Sequence, residues 1–298
     1  MAQPIAHYPP TPLHIVIVGA GFGGLTAAIE CHFKGHTVTV LERSPEWNQL
    51  GDIISIGANA GQILSRYDPA HITDKLQKIC MSNDRFRLHT WEGEFMVEQV
   101  LSRVPGKPSY NGHRAELHKV LYDYAVSLDI PIRMGKKVVK YDEDEDGAWA
   151  VLESGELVRG DVLVAADGLR SKAKKAVLGS HGCDAGWRDQ RTGYSIYRAW
   201  YDAEECGIGK DPLTKFLMER DTHVGWLGQD VHFLVASIKG GKEISWVATH
   251  PVEENAEVGE DEDGEDWMNP TPGKIEEALK LFEGFAPVCK AKIGRAHV

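Results

Sequence analysis

No apolar run approaches the roughly 18 residues that a membrane-crossing helix needs, and Met1 to Thr11 holds three prolines with no apolar core of a secretion signal. A membrane role is therefore excluded from the expectation, and residues 1–12 are expected to form a loose, disordered leader. Cysteine is scarce: the five residues are odd in number, far apart and without a C-x-x-C pair. That pattern supports neither a disulfide framework nor a zinc site and fits a reducing, cytoplasmic setting. Cys31, His32 and His36 resemble ligands, but Gly35 should end the helix that would hold the histidines on one face. Basic charge is also short, with 33 Lys and Arg against 44 Asp and Glu, a net of −11. Such a balance argues against a nucleic-acid partner. Nine of the acids lie between Pro251 and Trp267 with no base among them, a stretch expected to form a mobile surface loop.

What is present is an ordinary globular composition, 42% hydrophobic and 26% charged, on a chain of 298 residues. At about 150 residues per domain this suggests two domains. The strongest local signal is the β-branched run Leu13 to Val18, which reads as a strand buried on both faces of a parallel sheet. It leads into G-x-G-x-x-G at Gly19, Gly21 and Gly24. Leu25 to Lys34 then reads as a helix closed by Gly35, and Thr37 to Leu41 as a second buried strand ending at Glu42. The three glycines permit, in turn, a tight strand-to-helix turn, a close backbone approach to a pyrophosphate, and close packing of helix on sheet. Glu42 falls 18 residues after Gly24, where an acid meets a ribose hydroxyl, so the unit is read as a dinucleotide site.

Farther along, Arg85 to Val97 alternates like a strand, Pro105 to Gly112 reads as a loop, and Arg114 to Ser127 has helical periodicity. Strands are expected near Val138 and over Ala148 to Leu152, with Asp142 to Gly147 as a hairpin turn. Asp161 to Ala166 reads as another buried strand, delivering Asp167 and Gly168 to the carboxyl end of the sheet, where open α/β sheets bind ligands. Tyr194 to Tyr201 and Val231 to Thr249 are strand-rich, the latter broken by a hairpin at Lys239 to Lys242. They suggest a second, antiparallel domain. Its aromatics, with Trp187, Tyr194, Trp200, Trp226 and Trp246 foremost, either line a pocket or, for most of them, pack the sheet core.

The motifs I-V-I-V-G-A-G-F-G-G-L-T-A-A (15–28), V-L-E-R (40–43), H-R-A-E-L-H (113–118) and G-D-V-L-V-A-A-D-G-L-R-S-K-A-K (160–174) together resemble the single-component FAD-dependent aromatic hydroxylases, the salicylate-hydroxylase-like monooxygenases. The resemblance implies an α/β fold: a Rossmann-like FAD-binding domain with a parallel sheet (13–76 and 106–178), interleaved with an antiparallel β-rich substrate domain (77–105 and 179–292). It implies FAD as cofactor and NAD(P)H as co-substrate, the flavin being reduced by hydride before oxygen hydroxylates a small aromatic substrate, phenolic or an aromatic acid. Gly19, Gly21 and Gly24 would cradle the pyrophosphate, and Glu42, followed by Arg43, would hold the adenosine ribose. Arg114 would reach the flavin side, and Asp167 with Gly168 would serve FAD and NAD(P)H. Arg198 matches a family arginine at the start of the substrate sheet and would bind a phenolate or carboxylate; an outward-facing strand arginine is the competing reading. Lys174 stands where the family usually has Arg, losing the bidentate fork. Ala236-Ser237 stands where some relatives have Tyr-Pro.

A further family motif, Gly-Asp followed by small residues, has no counterpart, since Gly51-Asp52 and Gly160-Asp161 come too early. The last six residues, Ile293 to Val298, back-translate as ATC GGA AGA GCA CAC GTC, which matches the start of a sequencing-library adapter. Residues 293–298 are therefore expected to be a non-native tail on a truncated chain. Two other classes remain open on the sequence: a non-catalytic fragment that cannot retain FAD, and an NAD-dependent dehydrogenase.

Overall fold

The computed structural model describes residues 7–47, 51–82, 85–100, 108–169, 171–180, 192–252 and 274–293. Arg170, Cys183, Trp187, nearly all of the acidic stretch and residues 294–298 lie outside the described residues. The chain divides into two compact units: Met1–Leu50, Leu64–Lys75 and Ala115–Asp189 form one, and Gly51–Ile63, Leu76–Arg114 and Gln190–Val298 the other. Residues 51–63 and 106–114, counted above with the cofactor segments, thus group with the second unit.

The elements run β1 (His14–Val18), α1 (Phe22–Phe33), β2 (Thr37–Leu41), β3 (Ile53–Ile56), α2 (Ala58–Leu64), α3 (Thr73–Ile79), β4 (Arg85–Thr90), β5 (Phe95–Val100), β6 (Tyr110–His113) and α4 (Arg114–Ser127). There follow β7 (Ile132–Arg133), β8 (Val138–Asp144), β9 (Gly147–Leu152), β10 (Leu157–Gly160), β11 (Val162–Ala165), α5 (Ala173–Ser180) and β12 (Tyr194–Asp202). The last are β13 (Thr222–Leu227), β14 (His232–Ile238), β15 (Glu243–Pro251), α6 (Ile275–Lys280) and α7 (Pro287–Ile293). Among the described residues no helix is long and apolar enough to cross a membrane.

In the first unit a parallel sheet has the order β11-β1-β2-β7, with Val18 opposite both Leu41 and Ala165. The β-branched run of β1 is central, so Val16 and Ile17 are fully buried, as a strand covered on both faces requires. An antiparallel sheet, β10-β9-β8, packs on it, and Val16, Val18 and Leu41 share a core with Ala150, Leu152 and Val158. Asp161 Oδ2 accepts the His14 N–H at 2.6 Å, fastening the start of β1 beside β11.

Several expectations are corrected. α1 begins at Phe22, three residues before the expected start, because the glycine turn passes straight into helix. The leader is not loose over residues 7–12: Tyr8 N donates to Phe33 O at 2.9 Å and Thr11 N to Gly35 O at 2.8 Å. The chain there satisfies backbone carbonyls at the end of α1. Gly35 has φ +85°, and a Cβ there would strike the Pro9 carbonyl, so glycine both ends the helix and admits this segment. β11 is only half-buried, with Val162 43% exposed, because it lies at one edge of the described parallel sheet. The loop expected through Gly112 ends in β6, which pairs with β3. The turn expected over Asp142 to Gly147 is tighter, since Asp142 to Asp144 belong to β8 and pair with β9.

The second unit holds a six-stranded sheet, β12-β15-β14-β13-β4-β5. It is antiparallel except for β4 and β13, which pair in parallel. One face carries the core: Trp226, Phe233, Val235, Trp246, Ala248 and Phe282 cluster there, Trp246 and Phe233 with no exposed surface. The hairpin between β14 and β15 turns through Lys239, Gly240 and Gly241, all at positive φ. Buried Asp221 ties the turn down, accepting Gly240 N at 2.6 Å on one oxygen and Ser82 N and Oγ on the other.

Candidate dinucleotide-binding site

Gly19, Gly21, Gly24, Glu42, Asp167 and Gly168 all belong to the first unit. β1 and β11 deliver the two loops side by side, since Val18 is the register partner of Ala165. Gly19 sits at φ +99°, and a Cβ there would overlap the Ala166 carbonyl; at Gly24 it would overlap the Gly19 carbonyl oxygen. These two glycines let helix, turn and the β11 loop touch. Gly21 and Gly23 differ, for a Cβ on either would meet nothing within 4 Å among the described residues. Gly21 is the N-cap of α1 and offers no side chain to the free N–H groups of the first turn. An uncapped helix start facing open space, with the positive end of the helix dipole behind it, suits a phosphate.

Glu42 accepts Ala20 N on Oε2 at 2.8 Å and Ser44 N on Oε1 at 2.9 Å. It braces the glycine turn as well as marking the end of β2, and each carboxylate oxygen keeps a lone pair for a hydroxyl. Arg43 is exposed beside it. Asp167 Oδ2 accepts the Tyr141 hydroxyl at 2.6 Å and Lys172 N at 3.1 Å. Its Oδ1 is buried with no partner among the described residues. Burial, reinforced by the Asp167 carboxylate, pushes the Tyr141 phenol far above its ordinary range, so it stays a donor. A buried carboxylate oxygen lacking a donor is costly unless a ligand supplies one. The open glycines, the uncapped helix and this orphan oxygen together fit the diphosphate and hydroxyl groups of FAD. Gly168 lies at φ +86°, and the Lys174 ammonium donates to the Leu169 carbonyl, fixing the following turn.

Replacing Glu42 by alanine should weaken FAD binding by about 1–3 kcal/mol, because it strips the Ala20 and Ser44 N–H groups of their acceptor and loosens the glycine turn. Unchanged flavin affinity in a fluorescence titration would remove Glu42 from the site.

Arg114 and Arg198 belong to the second unit, where Asp52 links them. Its carbonyl accepts Arg114 N at 2.8 Å, and its carboxylate pairs with Arg198 Nη1 at 2.9 Å. Asp52 is a functional candidate that in the sequence stands out only as half of a misplaced Gly-Asp pair. No local pattern marks it, since its partner lies 146 residues away. Arg198 shares a sheet face with Val247, Leu234, Gly225 and Leu88, its successive register partners; the adjacent row is Trp200, Ser245, Ala236, His223 and Phe86. This is the face opposite the Trp246 core. Trp226 and Trp246 are therefore core residues, Tyr194 is 46% exposed, and Trp200 packs edge-on against His113. His223 stacks on Phe86, and burial pushes its imidazole down to about 4. A cavity of about 470 Å³ bounded by Arg85, Arg87, Glu98, Arg220 and His223 contains none of the expected site residues.

A family model described as an FAD binding domain matches residues 13–186. Asperlicin C monooxygenase of Petromyces alliaceus is 30% identical over 238 residues, covering 80% of this chain and 50% of that protein. The chain thus spans half the length of that relative. The crystal structure of CtdE in complex with FAD and a substrate superposes with a TM-score of 0.83 at 27% identity, over 95% of this chain and 66% of that one. A salicylate hydroxylase substrate complex superposes with a TM-score of 0.73 at 22% identity, over 96% of this chain and 66% of that one, a likeness of fold.

Proposed function

Because the chain belongs to the FAD-binding family that the flavin-dependent monooxygenases share, we propose that it serves the FAD-dependent hydroxylation of a small aromatic substrate, phenolic or acidic, with NAD(P)H as reductant. The observation that carries this reading is the buried Asp167 Oδ1, unpartnered among the described residues, beside an uncapped α1 start. Bound FAD would supply the redox chemistry; the protein's part is to bind, orient and shield. Gly21 and the first N–H groups of α1 receive the pyrophosphate, Glu42 the ribose, and Asp167, steadied by Tyr141, a hydroxyl farther along the cofactor. On the second unit Arg198 supplies a cation for a phenolate or carboxylate, and Asp52 orients its guanidinium. Leu234, Val247 and Leu88 give that sheet face an apolar floor for a ring.

Titration of the purified chain with FAD, followed by NADH or NADPH oxidation in the presence of phenolic acids, tests the reading. Saturable quenching of flavin fluorescence and substrate-stimulated oxidation are expected. Binding of NAD without any FAD would favour a dehydrogenase instead.

A further inference from the structure

Ala20, inside the glycine turn, is held by both of its backbone groups. Its N–H donates to Glu42 Oε2 at 2.8 Å, and its carbonyl accepts from His118 Nε2 at 2.5 Å. Ala20 is 3% exposed, so its carbonyl is a buried acceptor that calls for a partner, and the imidazole supplies it. His118 comes from α4, 98 residues away in sequence. Its ring also wedges between two other parts of the site. Phe22, the first residue of α1, lies 5.1 Å away, centroid to centroid, and Trp47, on the segment after β2, stacks at 4.4 Å and 28°. Trp47 in turn rests on Tyr122 of α4 at 4.7 Å. One imidazole therefore touches the helix start, the turn and the segment that follows Glu42. Accepting by a carbonyl requires hydrogen on Nε2, which a purely apolar filler could not provide.

We propose that His118 is a positioning residue of the dinucleotide site, clamping the Ala20 carbonyl so that the N–H groups after Gly21 stay aimed at a diphosphate. This rests on the FAD reading above and names the residue that presets its phosphate loop. Holding the loop before the ligand arrives spares the ordering cost at binding.

Two substitutions separate the clamp from mere filling: His118→Gln keeps an N–H donor of similar reach, and His118→Leu keeps bulk without a donor. Hydrogen exchange of the flavin-free chain and titrations with FAD and ADP read the outcome. His118→Leu should speed amide exchange across residues 19–25 about tenfold and weaken FAD and ADP by a similar factor of about ten, since both carry the diphosphate. His118→Gln should stay within about threefold of the parent chain in both readouts. Unchanged exchange in His118→Leu, or a His118→Gln variant as impaired as His118→Leu, would overturn the proposal. A parent chain that binds neither FAD nor ADP defeats the cofactor reading, while the exchange comparison still decides whether His118 holds the turn.

Discussion

Replacing Gly24 by alanine is expected to lower FAD affinity by at least about 100-fold, or ~3 kcal/mol, and to destabilise the first unit. The added methyl group would overlap the Gly19 carbonyl oxygen and press on the Ala166 side chain. Neither neighbour can yield easily, because Gly19 N is bonded to Leu41 O at 2.7 Å and Ala166 N to Val18 O at 2.8 Å. The start of α1 would have to lift off the sheet, moving its free N–H groups away from the phosphate position. Gly21→Ala is the control, since its Cβ meets nothing among the described residues. It should fold normally and lose affinity only through its bound ligand. A Gly24→Ala chain with parent affinity in a fluorescence titration would show that helix and turn are not coupled as described.

Arg198→Ala should reduce kcat/KM for an acidic phenol by about 10- to 100-fold, the loss of a charge-assisted hydrogen bond, while leaving the flavin spectrum intact. Asp52→Asn should cost less, because the arginine keeps its charge but loses the partner that aims it. If Arg198 serves only to hold Asp52 and the β3 segment in place, both variants should lower the melting temperature without altering substrate preference. Steady-state rates unchanged across several phenolic acids would return Arg198 to an outward-facing strand arginine.

Much of the first unit was legible in the sequence because its signals are local. The β-branched run, the glycine spacing and the acid after β2 lie within thirty residues, and β1, β2 and α4 fall at or within one residue of their expected bounds. What escaped depends on distant pairing. β6, Tyr-Asn-Gly-His, carries no apolar pattern, and the short Ile-Ile-Ser-Ile run of β3 does not name its partner; the two pair because each satisfies the other's backbone. The half-exposure of β11 could not be read from Val162 to Ala165, since an apolar run does not reveal whether its strand is central or at an edge. The parallel contact of β4 with β13 was likewise invisible, as no periodicity distinguishes a parallel from an antiparallel neighbour. The candidate residues divide in the same way. The glycines and acids proposed in the first unit stand out by spacing, whereas Tyr141 and His118 there, and Asp52 in the second unit, owe their places to partners on other elements.

The order of strands in the parallel sheet also bears on how the chain is made. β1 leaves the ribosome well before one of its two neighbours, β11, which begins just after Asp161, whose carboxylate meets His14 across 147 residues. At about 5–20 residues per second, that separation amounts to roughly 7–30 s during which one edge of a very apolar strand has no partner. Loop closure over such a span is slow even in the finished chain. The nascent protein should therefore lean on chaperones that shield strand edges, and synthesis at lower temperature or with added chaperone should raise the yield of soluble product.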